Sequence, residues 1–211
     1  MTSPVPRRGG FVFLDPEQGR VLRVMPFQYN PDGIVRTVQP RGSGGGDRLE
    51  ALRLQGPARE TFRIDVEFDA VDQSASQAVP APPAGSGLFA TLAALESAVT
   101  PTSAQLTRQN DLAGQGILEI APAQSPLSVL VLGQHRVLPV RIQDVDVTEE
   151  AYDGELNPIR ARVVLTVRIL TVDDVGFGHK AGGLYLQYQQ DRERLAAAVT
   201  YGPGTIGYSG G

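Results

Sequence analysis

Hydrophobic and polar positions alternate along much of the chain, a pattern that is typical of β-strands with one buried face. In residues 62–68 every second side chain is apolar and those between are charged, which predicts a strand. The same alternation over residues 161–169 predicts a long strand in the interior of a sheet. Apolar runs at residues 11–14 and 21–25, joined by a segment that contains Pro and Gly, predict a β-hairpin.

A longer strand with one irregularity is predicted over residues 137–147. Its apolar positions change phase near Gln143 and Asp144, and a β-bulge there would keep them all on one face. Shorter runs predict strands at residues 34–38, 117–121 and 128–132. Residues 133–136 form a predicted turn, and residues 148–158 an acidic, turn-rich link.

Two segments have the pattern of helices. Leu88, Leu92, Leu95 and Val99 recur at spacings of four, three and four. They predict an amphipathic helix over residues 87–98 with Ser86 as its N-cap. A second helix is predicted over residues 184–199.

The segments without periodicity define the organisation of the chain. We predict long loops at residues 40–47 and 71–87, and residues 102–116 are again polar and irregular. The sequence thus predicts a mainly β, α+β fold with a β-domain over residues 1–173. Residues 174–211 are predicted to hold a Gly-rich linker, a short helix and a flexible tail.

Composition and charge narrow the function. The chain has 41% apolar and 20% charged residues with a net charge of -4, which favours a folded protein and no nucleic-acid partner. It has no cysteine and two histidines, so disulfides and Cys-based zinc sites are excluded. No apolar stretch approaches the ~18 residues that span a bilayer, and the first residues lack a signal-peptide pattern. We expect a cytoplasmic protein without direct membrane insertion.

Two acidic stretches are candidates for metal binding or acid–base chemistry. The first consists of Asp65, Glu67 and Asp69, and the second of Asp144, Asp146, Glu149 and Glu150. Neither has a histidine or an EF-hand spacing, so solvent-facing carboxylates are the favoured interpretation. His135 and His179 likewise have no partner at a triad spacing. We expect no catalytic residue, no cofactor and no metal, and therefore a protein that is not an enzyme.

Three stretches of the chain carry a more specific signal through their order and spacing. The first is Phe27-Gln28-Tyr29-Asn30-Pro31, and the second is residues 60–69. The third comprises residues 138–142, 148–153 and 156–161 and leads into the strand that follows. Its motif residues are Glu149, Glu150, Asn157, Pro158 and Arg160. Together these stretches resemble the tube and baseplate adaptor proteins of contractile injection systems, which are related to the inner-tube proteins of phage tails.

The resemblance implies a phage tail-tube-like β-sandwich or barrel with one internal helix and a C-terminal helical extension. It implies a structural subunit of a hexameric ring that connects the spike and baseplate to the inner tube and templates tube assembly. The implied partners are further copies of the chain, the inner-tube protein, the spike protein and other baseplate components. The protein would act in the cytoplasm within the assembled particle, or outside the cell once the particle is released.

Other functions stay open at this point. The chain could be an inner-tube protein of the same machine, an isolated ligand-binding β-sandwich, or an unrecognised hydrolase. Many adaptors of this family carry a peptidoglycan-binding LysM domain, and residues 174–211 are too short and too Gly-rich for a good one. We expect the C-terminal helix and tail to fill a groove of a neighbouring subunit instead.

Overall fold

The computed structural model describes residues 7–42, 52–75, 83, 85–115 and 124–206. The strands are β1 (Gly10–Leu14), β2 (Val21–Pro26), β3 (Ile34–Gln39), β4 (Arg59–Asp69), β5 (Leu127–Val131), β6 (Val137–Tyr152) and β7 (Pro158–Ile169). The helices are α1 (Ala70–Ala75), α2 (Phe89–Glu96), α3 (Ser103–Gly114), α4 (Val172–Val175) and α5 (Lys180–Ala197), and a 3-10 turn, Pro203–Ile206, follows. The predicted α+β class and C-terminal helix are confirmed. The single internal helix is wrong, because four helices precede α5 in this part of the chain.

All seven strands belong to one antiparallel sheet in the order β2-β1-β5-β6-β7-β4-β3. The predicted hairpin is present as β1 and β2, and Asp15 stabilises its turn by accepting the N–H groups of Glu17 and Gln18 at 3.0 and 2.7 Å. β7, predicted to be interior, lies between β6 and β4. The β3 strand predicted at residues 34–38 pairs with β4 at one edge.

The bulge predicted in β6 is confirmed. The register between β6 and β7 shifts between Ile142 and Asp144, and Val145 and Val147 then pack against the core as the earlier apolar residues do. β6 continues to Tyr152, so the predicted link at residues 148–158 is mostly strand. Only a tight turn remains between β6 and β7.

The sheet is open in its hydrogen bonding but strongly curled. Among the described residues no pairing joins the two edges, β2 and β3. In a flat sheet β2 and β4 would lie five strand spacings apart, ~24 Å. Gln28 follows the end of β2 by two residues, and its side chain bonds the backbone of Asp69 at the end of β4. Since an extended residue spans at most ~3.6 Å, this contact requires the sheet to curl. The structure thus has a curled open sheet where a sandwich or barrel was expected.

The main core fills the inside of the curl. Side chains of β1 and β4, four positions apart in the sheet, belong to the same buried cluster, together with residues of β6 and β7. α2 lies in this core with Leu88, Leu92 and Leu95 buried, as predicted. Ser86 is not the N-cap, because the helix begins after Leu88. Val99 is exposed, because α2 ends before it.

α5 completes the core of its own chain. Tyr185 and Tyr188 are buried in the main core, and Ala181 packs with Leu14 and Leu127 in a second cluster. One face of α5 thus packs within its own chain. That the C-terminal helix and tail fill a groove of a neighbouring subunit stays a prediction. The buried side chains recur every three or four residues, which orients one face of the helix toward the sheet.

Two helices lie where loops were predicted. α1 occupies residues 70–75 at the start of the predicted 71–87 loop, and Gln73 on it is buried. α3 occupies most of the polar segment at residues 102–116. A capping box starts it: Gln105 N–H donates to Thr102 Oγ1 at 3.2 Å, and Thr102 N–H donates to Gln105 Oε1 at 2.8 Å. α3 has no buried side chain, so no apolar periodicity marked it in the sequence.

Parts of other predictions lie outside the described residues. These are most of the loop at residues 40–47, residues 76–82 and 84 of the 71–87 loop, the strand at residues 117–121, and the tail beyond residue 206. Within the described ranges, no helix is both long and apolar enough to cross a bilayer.

Candidate functional site

The three stretches that resemble adaptor proteins meet at Asp69. Gln28, from the first stretch, donates from Nε2 to the Asp69 carbonyl at 2.9 Å, and the Asp69 N–H donates to Gln28 Oε1 at 3.0 Å. Arg160, from the third stretch, donates from Nη2 to Asp69 Oδ2 at 3.3 Å. Asp69 itself ends the second stretch on β4. We call Gln28, Asp69 and Arg160 the Asp69 junction.

The first stretch belongs to a crossing segment, residues 27–33, which carries the chain from β2 to β3. Phe27 is buried edge-to-face against Phe11 with ring centroids 5.7 Å apart, and Gln28 is also buried. Asn30 accepts the Gly9 N–H at 2.8 Å and donates to the Arg7 carbonyl at 3.0 Å. These contacts fix the crossing segment to the residues before β1.

Tyr29 connects the crossing segment to α1. Its hydroxyl donates to the carboxylate of Asp72, and this hydrogen bond is the main cause that raises the pKa of Tyr29 above its ordinary value. Pro31 is half-buried and borders the groove described below. Phe27, Gln28, Tyr29 and Asn30 therefore share one structural role, which is to hold the crossing segment against β4, α1 and the start of β1.

Asn157 lies in the turn between β6 and β7, and Pro158 is the first residue of β7. Asp153 accepts the N–H of Asn157 at 2.9 Å and the Asn157 side-chain amide at 2.9 Å, and the side-chain bond is the main cause that lowers the pKa of Asp153. Leu156 has a positive φ of 64° within this turn and is exposed. The Pro158 carbonyl accepts the Leu88 N–H at 2.7 Å, so the turn also positions the start of α2.

Glu149 and Glu150 are exposed near the end of β6, next to a register shift between Glu149 and Ala151. A hydrogen bond from the Tyr152 hydroxyl to Glu149 is the main cause that raises the pKa of Tyr152. Neither glutamate contacts the Asp69 junction through a described hydrogen bond. The pairing of β6 with β7 nevertheless places them next to Arg160, because Glu149 is opposite Ala161 and Ala151 is opposite Arg160.

Two carboxylates of β4, Asp65 and Asp69, form ion pairs with β7 on the outer face of the sheet. Arg162 donates from Nε to Asp65 Oδ1 at 2.9 Å, and this bonding is the main cause that lowers the pKa of Asp65 and raises that of Arg162. Arg160 pairs with Asp69 in the same way. The solvent-facing interpretation of this acidic face is confirmed, and its arginine partners, one strand away, were not anticipated from sequence.

A groove of about 860 Å³ lies beside the crossing segment. Tyr29, Asp32, Val35, Arg63 and Glu67 contribute to its lining. β3 begins at Ile34 opposite Ile64, so the last residues of β4 have no strand partner on this side within the described ranges. Backbone amides at a free strand edge are able to pair with an added extended segment.

The two edge strands carry apolar side chains that are exposed in the single chain. They are Val21, Leu22 and Val24 on β2, and Val35 and Val38 on β3. Sequence reasoning missed these residues as functional candidates, because it could not assign the strands to the edges of the sheet. The available signal was a strand with apolar residues on both faces and no polar alternation, at residues 21–25.

The histidines have local partners. His135 Nδ1 lies 2.7 Å from Asp191 Oδ2, and its other ring nitrogen lies 2.8 Å from the Gln134 amide. His179 accepts the Ala181 N–H at 3.1 Å and so caps the start of α5. Within the part of the chain that the structure describes, no group of three His, Asp or Glu side chains is placed to hold a metal ion.

Comparison of the chain with known proteins identified no relative. No model of a known protein family matches the chain, and no curated protein matches it.

Proposed function

We propose that the chain is a structural, non-catalytic subunit of a contractile injection system. In this proposal it forms a hexameric, tail-tube-like ring that connects the spike and baseplate to the inner tube and templates tube assembly. Its partners are further copies of itself, the inner-tube protein, the spike protein and other baseplate components. It acts in the cytoplasm as part of the particle, or outside the cell after the particle is released.

The observation that carries the proposal is that both edge strands of one sheet carry exposed apolar side chains. Val21 and Val24 on β2 are each 60% exposed, and Val35 on β3 is 64% exposed. Proteins that stay monomeric usually protect such edges with charges, prolines or covering segments. β2 also carries Arg23 and Pro26, and β3 carries Arg36. The valines beside them are nevertheless exposed within the part of the chain that the structure describes, which favours pairing with another chain.

The geometry of the edges favours a ring over a symmetric dimer. β2 and β3 are different strands at opposite ends of the sheet order, so β2 of one copy can pair with β3 of the next. Such a contact joins two different surfaces, and repeating it produces a ring when the rotation closes. A curled sheet supplies the rotation from one copy to the next.

The Asp69 junction supports the resemblance on which the ring assignment rests. The resembling stretches are far apart in sequence, and Gln28 and Arg160 both bind Asp69. The resemblance therefore covers one connected structural feature. It lies at the end of β4 that extends beyond the start of β3, where it fixes the segment that leads into this edge strand.

The proposal is tested by the mass and shape of the purified protein. Light scattering over a range of concentrations, with negative-stain images of the same fractions, is applied to the chain alone and mixed with a tube protein from the same gene cluster. We expect six-fold rings, alone or in the mixture. A monomer that ignores the tube protein at every concentration would overturn the proposal and favour a ligand-binding module, with the groove at Tyr29 as the place to screen.

Paired variants test the edges themselves. Val24→Lys and Val35→Lys each place a charge on one edge, and we expect either to abolish rings while the subunit stays folded. Leu106→Lys on α3, where Leu106 is 53% exposed, is the matched control and leaves rings intact. Rings that persist in both edge variants would exclude edge pairing as the assembly contact.

A further inference from the structure

A buried carboxylate lies on the apolar face of β4. Glu60 is 2% exposed and shares its side of the strand with Phe62 and Ile64, both of which are in the main core. A charged group in such a place is costly unless hydrogen bonds and opposite charges compensate it. Its partners therefore indicate what it does.

Two arginines from different elements share this carboxylate. Arg36 on the edge strand β3 donates from Nε and Nη2 to Glu60 Oε2 at 3.0 and 2.6 Å. Arg192 on α5 donates from Nη1 to Glu60 Oε1 at 2.5 Å. We call these three residues the Glu60 clamp. Each oxygen of the carboxylate thus serves one element.

Aromatic rings fix both arginines further. The Arg36 guanidinium carbon lies 5.8 Å from the centre of the Phe62 ring, and that of Arg192 lies 5.3 Å from the centre of the Tyr188 ring. Both separations are within the range of cation–π attraction. The guanidinium groups are therefore held by the aromatic rings as well as by the carboxylate, and they cover the carboxylate from solvent.

We propose that the Glu60 clamp couples the docking of α5 to the order of the edge strand β3. Arg192 keeps water away from Glu60 while α5 is docked, and in that environment the pair of Glu60 and Arg36 is strong. When Arg192 is lost, water reaches the carboxylate and the remaining pair weakens toward the small value of a surface ion pair. By linkage, the loss of Arg36 loosens Arg192 and α5 to a corresponding degree.

The Glu60 clamp then also affects assembly, because β3 is one of the two edge strands that pair between copies in the proposed ring. This effect on assembly rests on the proposed function. Among the described residues β3 has a strand partner on one side only, so contacts outside the ladder matter for its order. The docked C-terminal helix then keeps β3 ordered. While α5 is docked, β3 has the conformation in which it pairs with a neighbouring copy. When α5 is released, β3 becomes less ordered and pairs less readily with a neighbouring copy.

Hydrogen exchange on the full chain tests the coupling without any assembly, under dilute conditions where the chain is monomeric. The variants are Arg36→Ala and Arg192→Ala, and the matched control is Arg194→Ala, whose partner Asp191 lies on the same helix. We expect Arg192→Ala to speed exchange at residues 34–39 of β3 by about tenfold, as the loss of one partner of a buried charge implies. Arg36→Ala is expected to speed exchange in α5 around Arg192, and Arg194→Ala to change neither.

The decisive measurement is the hydrogen-exchange rate of the element that does not carry the substitution, which is β3 for Arg192→Ala and α5 for Arg36→Ala. If Arg192→Ala loosens α5 but leaves β3 at the wild-type rate, the coupling is overturned. Should Arg192→Ala fail to fold, Arg192→Lys keeps the charge and loses the guanidinium group that contacts Glu60 and the Tyr188 ring, and the same comparison applies. If β3 responds as expected but no rings form under any condition, the coupling stands and the proposed function fails.

Discussion

The Gln28 side chain pairs with the backbone of Asp69 in both directions, across 41 residues of sequence. Its amide nitrogen donates to the Asp69 carbonyl at 2.9 Å and its amide oxygen accepts the Asp69 N–H at 3.0 Å. This is the pattern that a neighbouring strand would make, and it occurs where β3 no longer covers β4. A side chain thus closes the end of a strand edge that backbone pairing leaves open.

Replacing Gln28 by Met removes both hydrogen bonds while keeping a similar shape. The backbone groups of Asp69 would then lie partly buried without partners, and we expect the free energy of unfolding to fall by about 2 kcal/mol. Urea denaturation measures this loss. Gln187→Met on the exposed surface of α5 is the control and should change stability little. An unchanged urea midpoint for Gln28→Met would show that water replaces the side-chain amide.

The assignment of a buried and an exposed face to β4 is tested by one position on each face. Phe68 is 2% exposed in the main core, and Phe68→Asp should unfold the subunit, because a charge buried there costs about 5 kcal/mol or more. Asp65 forms an exposed pair with Arg162, and Asp65→Ala should lower the melting temperature by no more than about 3 °C. Circular dichroism melts measure both. If the two variants were equally harmless, the assignment of buried and exposed faces would be wrong.

The turn between β6 and β7 contains a residue that glycine would suit better. Leu156 has a φ of 64°, a region that costs free energy for any residue with a Cβ, and its side chain is 79% exposed. We expect Leu156→Gly to raise the free energy of unfolding by about 0.5 kcal/mol. Leu106→Gly, inside α3, is the opposite control and should destabilise. A loss of stability in Leu156→Gly would indicate that the leucine side chain makes a stabilising contact.

Acid should weaken the link between β7 and α4. Burial alone would raise the pKa of Asp174, but the Thr171 N–H and the Arg168 guanidinium outweigh it and hold that pKa below its ordinary value of 3.8. A carboxyl group with a lowered folded-state pKa stabilises the fold above its unfolded pKa, and this contribution disappears as pH falls through the folded value.

The test compares wild type with Asp174→Asn by urea denaturation at several pH values. We expect the variant to be less stable at neutral pH and the difference to vanish between pH ~4 and ~2. Asp32→Asn is a control at an exposed aspartate and should show no such crossover. A difference that is constant with pH would mean that the Asp174 charge does not contribute.

The sequence by itself determined the local elements that have strong periodicity. The alternation in β4 and β7, the bulge in β6 and the apolar stripe of α2 all depend on which side chains must be buried, and burial is readable from spacing. It failed at α1 and α3, because α1 is one and a half turns long and α3 buries nothing. α3 depends on its capping box, a weaker signal than an apolar face.

Only the tertiary structure decided which residues work together. Gln28 and Arg160 are far apart in the chain and meet at Asp69 because the sheet curls, and no local pattern encodes that approach. Glu60 reads as an ordinary surface glutamate until β3 and α5 place Arg36 and Arg192 against it. The exposed valines of β2 and β3 become candidate interface residues only because the strand order places β2 and β3 at the edges of the sheet. Strand order and curl arise from long-range packing. The candidate interface is therefore a property of the folded sheet, and no single segment of the sequence predicts it.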